Sequence, residues 1–254
     1  MAAAAFVIGF AIPALAQTPE GTAPPSAPAK TTGPKVFVSG DGGYQASSSG
    51  FTSQSTFPLY AEDATFTAAV PDTGGAAVAM RGGFRLHRHL LVGAGVTGFW
   101  STRSAGVTAS LPHPFYFGRP RSVDGTASGL TRDETMVALE VSYLVPFNAR
   151  MDMQVFAGPA FFKVKADMPT RVDFTEAYPY DAATFSSLKT TSVSDSATGF
   201  TVGADVAFMF SPSMGVGGHV RFSRASATLL PAGGQSTAID LGGFQAGGGL
   251  RFRF

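Results

Sequence analysis

The sequence has no cysteine, few charged residues and no long apolar segment after residue 16, and each shortage excludes a class of protein. Without cysteine there is no disulfide, no thiol catalysis and no cysteine-based metal site. A formal net charge of +1 gives no electrostatic basis for binding nucleic acid. The missing apolar run excludes membrane-spanning helices after residue 16.

The N-terminus has the pattern of an export signal. Residues 2–15 form an almost continuous apolar run, and Ala14-Leu15-Ala16 fits the small-x-small rule for cleavage before Gln17. The run is shorter than a spanning helix requires. Residues 17–34 are rich in proline among Thr, Ser, Gly and Ala, which is typical of an extended linker. The sequence therefore predicts a signal peptide at 1–16, a linker at 17–34 and one folded domain at 35–254.

Alternation of apolar and polar residues with a period of two predicts eight β-strands in that domain. The predicted strands are 35–47, 76–87, 90–102, 134–147, 151–165, 197–210, 213–228 and 237–254. Their connections alternate in length. Short turns are predicted at 87–89, 148–150 and 211–212, and long loops at 48–75, 103–133 and 166–196, with a shorter loop at 229–236.

One face of these strands is apolar and the other is polar or glycine. In the second strand, for example, Met80 and Phe84 alternate with Arg81 and Arg85. A soluble barrel with an apolar core would show the same period. Two observations favour an apolar exterior instead. Glycines gather on the polar face, which suits the interior of a narrow barrel, and aromatic residues gather toward the strand ends, as at a membrane interface.

The last strand adds a terminal signature. Leu250, Phe252 and Phe254 face one way, Arg251 and Arg253 face the other, and the chain stops on phenylalanine. Residues 35–254 thereby resemble the small outer-membrane β-barrel family of the OmpA/OmpX type. The resemblance implies an all-β fold, an eight-stranded antiparallel transmembrane up-and-down barrel with short periplasmic turns and long extracellular loops. It also implies a periplasmic linker, a location in the cell outer membrane and contact with outer-membrane lipid.

Charged residues on the inward face of the predicted strands form a candidate lumen network. Asp41, Arg81, Glu140, Asp205 and Arg221 are predicted at mid-height, two cations with three anions. Toward the short-turn end the prediction places Arg85, Asp152, Arg251 and Arg253. Inward charges in a narrow barrel must pair, because an unpaired buried charge costs several kcal/mol. The network is therefore either a plug that closes the lumen or a narrow ion path, and eight strands leave no open pore by size alone.

Candidate catalytic and metal-binding residues are few. His219 and Ser223 resemble the residue pair of outer-membrane lipid A deacylases, but they lie four apart on one strand, roughly 13 Å, which is too far for a histidine to activate a serine. Arg224 also stands where those enzymes have asparagine. His87, His89 and His113 lie in a turn or a loop without a third ligand, so no metal and no cofactor is expected, and the protein is expected not to be an enzyme.

The predicted loops 103–133 and 166–196 carry aromatic residues, which favours either an extracellular contact surface or a cap over the barrel mouth. The leading functional hypothesis is a non-enzymatic outer-membrane barrel with a structural or surface-interaction role. The alternatives are a narrow channel for ions or small apolar solutes and, third, a lipid-modifying outer-membrane enzyme.

The resemblance gives Phe254 and Phe252 a role as the signal read by the outer-membrane barrel assembly machinery. Deleting Phe254 should therefore reduce surface levels in cells more than it reduces refolding in detergent, since one aromatic residue at the rim contributes only modest burial. Surface immunolabelling set beside refolding yield measures the two effects. Unchanged surface levels of the truncated chain would remove the assembly role.

Overall fold

A computed structural model describes residues 35–47, 50–230 and 236–254. The predicted signal peptide and linker lie outside these residues. The described chain forms ten β-strands, which are β1 Val36–Ser47, β2 Phe51–Leu59, β3 Glu62–Val70, β4 Gly75–Arg85, β5 Leu90–Leu111, β6 Arg121–Pro146, β7 Met151–Glu176, β8 Ala183–Met209, β9 Met214–Leu229 and β10 Thr237–Arg253. None of the described residues belongs to a helix long and apolar enough to cross a membrane.

Eight of the strands close into a ring, which confirms the predicted all-β, eight-stranded antiparallel up-and-down fold. The ring order is β1-β4-β5-β6-β7-β8-β9-β10, and β10 pairs with β1 to close it. Short turns join strands at one end, where Leu86 N donates to Leu90 O at 2.9 Å and Phe147 N to Met151 O at 3.0 Å. Lys35 N donates to Phe254 O at 2.6 Å, so the first described residue and the C-terminus lie at this short-turn end.

At the other end the connections are long, as predicted, but the expectation that they are loops is wrong. β5 continues to Leu111 and β6 starts at Arg121, so their loop spans only 112–120. The loop between β7 and β8 spans only 177–182. Within the predicted loop 48–75, β2 and β3 form a hairpin that pairs with β5 at Thr65↔Ser110 through Ala69↔Gly106.

Strand β5 shows why alternation of apolar and polar residues predicts the ends of these strands too early. Its outward side chains are apolar up to Trp100 and then become Thr102, Ser104 and Thr108. Its inward side chains change in the opposite sense, from Thr97 and Arg103 to apolar residues. The backbone alternates without interruption, but the apolar positions shift by one residue. The pattern therefore looks like the end of a strand although the strand continues.

The same reversal occurs at one level around the barrel. The outward residue changes from Val137 to Thr135 on β6, from Phe161 to Lys163 on β7, from Phe200 to Thr198 on β8 and from Phe222 to Arg224 on β9. Cross-strand pairs Val137↔Phe161 and Phe161↔Thr198 place these changes side by side. We call the surface between this level and the short turns the apolar band, and the part of the strands beyond it the extension.

Within the apolar band, the large apolar side chains point outward and the charges point inward. Met80 is 66% exposed and Leu139 is 55% exposed, whereas their chain neighbours Arg81 and Glu140 are 3% and 4% exposed. The extension has the opposite arrangement, with Ala, Val, Leu, Phe and Met inside. Its buried clusters include Phe66, Leu111 and Val172 near the tip and Phe162, Met168 and Leu229 lower down. One sheet thus has an apolar exterior in its lower part and an apolar core in its upper part.

Candidate functional site

The inward charges of the band form a layer of ion pairs, called here the middle layer. It consists of Asp41, Arg81, Glu140, Asp205, Arg221 and Arg251. Arg81 Nε lies 2.7 Å from Glu140 Oε2, and Arg221 Nη2 lies 3.4 Å from Glu140 Oε1. Arg251 joins the other two carboxylates, with Nη1 2.7 Å from Asp41 Oδ1 and Nη2 2.5 Å from Asp205 Oδ2. Arg81 Nη1 lies 3.9 Å from Asp205 Oδ2 and links the two groups.

Further side chains contact the groups of the middle layer. The ring of Phe156 lies beneath two of them, with its centroid 3.7 Å from Arg81 Cζ and 5.3 Å from Arg221 Cζ. An aromatic face attracts a cation, so the ring supports both. Arg221 Nη1 donates to Thr97 Oγ1 at 2.5 Å. His219 Nδ1 lies 3.5 Å from Asp41 Oδ1. The layer therefore crosses the lumen from β1 and β10 to β6.

Arg251 was expected nearer the short turns, but its guanidinium lies in the middle layer. On β10, Arg251 is opposite Ser39, one inward position below Asp41. A Cβ on Gly217 would lie 2.8 Å from Arg251 Nε, so glycine at this position leaves room for the side chain to reach upward. The expectation of two cations with three anions is therefore wrong, because three arginines meet three carboxylates.

Below the middle layer, the lumen contains one ion pair and a small apolar cluster. Arg253 Nη1 lies 2.5 Å from Asp152 Oδ2, which brings two of the predicted residues together. Arg85 is half-buried, and no ion pair to it is found among the described residues. Phe37, Leu91 and Leu144 form the buried cluster at this end.

Above the middle layer lies a second group of charges that the sequence reasoning missed, namely Arg103, Arg132 and Glu134. Arg132 Nη2 lies 2.5 Å from Glu134 Oε1 and 2.6 Å from the carbonyl oxygen of Asp240. Burial lowers the pKa of the Arg103 guanidinium to about 10, and repulsion by Arg132 adds to the effect. Arg103 and Arg132 fall inside a predicted loop, and Glu134 is the first residue of the strand that follows it. The sequence signal that could have placed them inside is the alternation of apolar and polar residues, which continues through residues 104–111 with its phase shifted by one residue.

The histidines lie at separate places in the barrel rather than in one group. His219 and Ser223 share the inward face of β9, and the charged neighbour of His219 is Asp41. His89 lies in the short turn between β4 and β5, and its Nδ1 is 2.9 Å from the carbonyl oxygen of Leu144. His113 lies at the tip. Asp41, Asp205 and His219 place ligand atoms within 4.8 Å of one another, but the Arg251 guanidinium already bonds to both carboxylates.

The two predicted loops that carry aromatic residues meet at the tip of the extension. Arg121, which is buried, binds Glu176 at 2.6 Å and the carbonyl oxygen of Pro112 at 2.8 Å. Tyr60, from the β2–β3 turn, also donates its hydroxyl to Glu176, and this bond raises the pKa of the Tyr60 phenol. The tip is thereby a joint of three hairpins. Aromatic rings contact one another at the tip. The ring centroids of His113 and Tyr116 are 4.9 Å apart, and those of Phe115 and Tyr180 are 5.5 Å apart.

No family model and no curated protein matches the chain. Similar solved structures include the outer membrane protein OprG from Pseudomonas aeruginosa, at 9% identity and a TM-score of 0.46, covering 87% of this chain and 96% of that one. Neisserial surface protein A has 10% identity and a TM-score of 0.45, covering 86% and 97%. A major outer membrane protein from Thermus thermophilus has 11% identity and a TM-score of 0.44, covering 86% and 99%. At such values the similarities carry no argument about function.

The middle layer generates a prediction about coupling. Arg81→Ala should lower the free energy of unfolding by about 3–5 kcal/mol, because it leaves Glu140 buried without its nearest cation. Adding Glu140→Gln should partly restore stability, since two arginines then face two carboxylates. Urea unfolding of the single and double variants in detergent measures the coupling.

Arg224→Ala is the matched control, because the exposed Arg224–Asp240 pair should contribute no more than about 1 kcal/mol. An additive Arg81→Ala, Glu140→Gln double variant would mean that the two side chains do not stabilise each other.

Proposed function

We propose that the chain is a non-enzymatic integral outer-membrane protein whose closed barrel anchors the extension and its aromatic tip at the cell surface. The observation that carries the proposal is the reversal of outward polarity at one level around the barrel. A sheet with an apolar exterior below that level and a polar exterior above it suits a chain that stands partly in lipid and partly in water.

The dimensions of the apolar band support a membrane. From Leu90 to Trp100 on β5, and from Met214 to Phe222 on β9, the band has the length of about 9–11 residues that a tilted strand needs to cross a bilayer. Aromatic side chains mark both of its edges. The upper edge carries Tyr44, Trp100, Phe161, Phe200, Phe222 and Phe244, and the lower edge carries Phe84, Tyr143, Phe147, Phe208 and Phe254.

The proposed orientation is supported by the positions of the short turns and of the two chain ends. Short turns belong on the periplasmic side of outer-membrane barrels. Lys35 and Phe254, the two chain ends of the described barrel, lie on the side of the short turns. The chain would be exported through its cleaved signal at 1–16, with the linker 17–34 in the periplasm and the barrel assembly machinery as a partner. The extension would then project outward from the cell, where the tip offers the contact surface. Phe117 is 77% exposed and Tyr178 is 84% exposed, so an extracellular ligand would meet aromatic rings first.

The layers of the lumen support a barrel that anchors rather than conducts. The apolar cluster at the short-turn end, the middle layer, the Arg103–Arg132–Glu134 group and the apolar clusters of the extension follow one another along the axis. An ion would have to separate buried charge pairs and then cross an apolar core. The non-enzymatic part of the proposal is supported by the position of Ser223, two inward positions beyond His219 on β9, which is too far along the strand for the imidazole to activate its hydroxyl.

A second candidate, a passage for small apolar solutes, is favoured by one feature of the wall. The β6–β7 ladder is interrupted between Ala138↔Ala160 and Val141↔Ala157, where Pro159 has no N–H to donate. A groove of about 550 Å³ lies on the outside here, lined by Leu139, Gly158 and Pro159 among others. A Cβ on Gly158 would lie 1.8 Å from Leu139 O, so the backbones of β6 and β7 approach closely at this position and only glycine fits there.

Placement in the membrane is tested on one face of one strand. Val96 and Thr108 both point outward from β5, the first within the apolar band and the second in the extension. Val96→Arg should obstruct folding into lipid vesicles at a cost of about 2–4 kcal/mol. Thr108→Arg should fold normally, because Thr108 has nearly the same shape as valine but lies in the extension, in water. Gel shift of the folded barrel gives the yield. Equal tolerance of arginine at both positions would overturn the proposal.

Closure of the lumen is tested by planar-bilayer recording. The refolded wild type should show no stable conductance steps, because the lumen is filled along its length. Arg81→Ala and Arg221→Ala each remove a cation from the middle layer, but neither should conduct steadily, because the apolar clusters of the extension still fill the lumen above it. Steady wild-type conductance that changes in Glu140→Gln would support the ion path instead, and altered lipid A mass on expression would support the enzyme.

A further inference from the structure

A groove lies on the outer surface of the barrel at the level where the outward side chains change from apolar to polar. Its volume is about 700 Å³. Val137 and Phe161 line its lower part, and Thr135, Lys163, Ser196 and Ser226 line its upper part. The groove is thus apolar toward the band and polar toward the extension.

The groove exists because two neighbouring strands part at this height. The β8–β9 ladder ends at Gly199↔Ala225, whereas β8 remains paired with β7 beyond it. Above this point the Asp195 carboxylate accepts a hydrogen bond from Thr228 N at 3.0 Å in place of a ladder bond. The side chains along the gap are short serines and threonines, so the outer surface is recessed between β7 and β9.

The position of Lys163 gives the groove its chemistry. Lys163 is the only charged side chain among the lining residues, and its cross-strand neighbours are Thr135 and Ser196. Phe161 lies two residues below it on the same face, beside Val137. A cation flanked by hydroxyl groups binds a phosphate, and an aromatic and aliphatic wall directly beneath binds a hydrocarbon chain. The arrangement suits an anionic amphiphile with its head group toward the extension.

We propose that this groove binds one phosphorylated glycolipid from the outer leaflet, with an acyl chain on Phe161 and Val137 and a phosphate on Lys163. The inference rests on the proposed function, because only an outer-membrane barrel in the stated orientation presents this level to the outer leaflet. A glycolipid fits better than a phospholipid since Thr135, Ser196 and Ser226 surround the cation with hydroxyl groups suited to a sugar. Lipid A, an acylated and phosphorylated disaccharide, is the suitable probe.

The experiment compares the wild type with Lys163→Gln and Lys189→Gln, all refolded in detergent. Lys189 is an exposed lysine on the same sheet, farther along the extension, where it pairs with Asp173. Native mass spectrometry with added bisphosphorylated lipid A should show one retained lipid on the wild type. The affinity should fall about tenfold in Lys163→Gln, which loses one charge-assisted bond, and should stay unchanged in Lys189→Gln. Dephosphorylated lipid A should bind the wild type about as weakly as lipid A binds Lys163→Gln.

The outcomes separate this inference from the proposed function. Equal retention of lipid A by the wild type and Lys163→Gln, in proteins that still fold into vesicles, would contradict the proposed lipid binding in the groove. It would not contradict the proposed membrane barrel. Phosphatidylglycerol competing as well as lipid A would overturn the glycolipid assignment in favour of an anionic phospholipid. Failure of the wild type to enter vesicles at all would instead overturn the proposed function.

Discussion

Closure of eight strands into a ring is the constraint on which the other features of this protein depend. Pairing of β1 with β10 closes the eight-strand ring within the apolar band and leaves an interior only wide enough for side chains. Any charge that points into such a space loses its water and must find a partner. The three arginines and three carboxylates of the middle layer meet that requirement, and glycines such as Gly217 on the inner face make room for the longest side chains.

The ring also explains how one sheet serves two environments. Side chains alternate between inside and outside along the whole of β5, so the composition of each face is free to change with height while the hydrogen bonding continues. Below the level of Trp100 the outside is apolar and the inside is paired charge. Above it the outside is hydroxyl and charge, and the inside is an apolar core beyond the Arg103–Arg132–Glu134 group. The closed interior and the exposed tip are therefore parts of one continuous structure.

This arrangement assigns separate tasks to separate heights. In the proposed function the barrel is a support, and the joint of Tyr60, Arg121 and Glu176 holds three hairpins together beneath the exposed rings. The two surfaces proposed for contact with other molecules are the aromatic tip and the outer surface where apolar and polar side chains meet. The proposed lipid groove lies at the second of these, where β8 and β9 part.

The sequence by itself determined the ring of eight strands, the short turns and which residues of the band face inward, because a period of two fixes the face of every side chain. It also placed Arg81, Glu140, Asp205 and Arg221 inside. Only the tertiary structure decided that the strands continue past residue 102, since the apolar phase shifts there while the backbone does not. It alone brought Arg251 up to Asp41 and Asp205, because the reach of a long side chain depends on the small residues of neighbouring strands. Arg103, Arg132 and Glu134 likewise became an inner group only when the extension was seen to be sheet, since a residue in a loop has no assigned face.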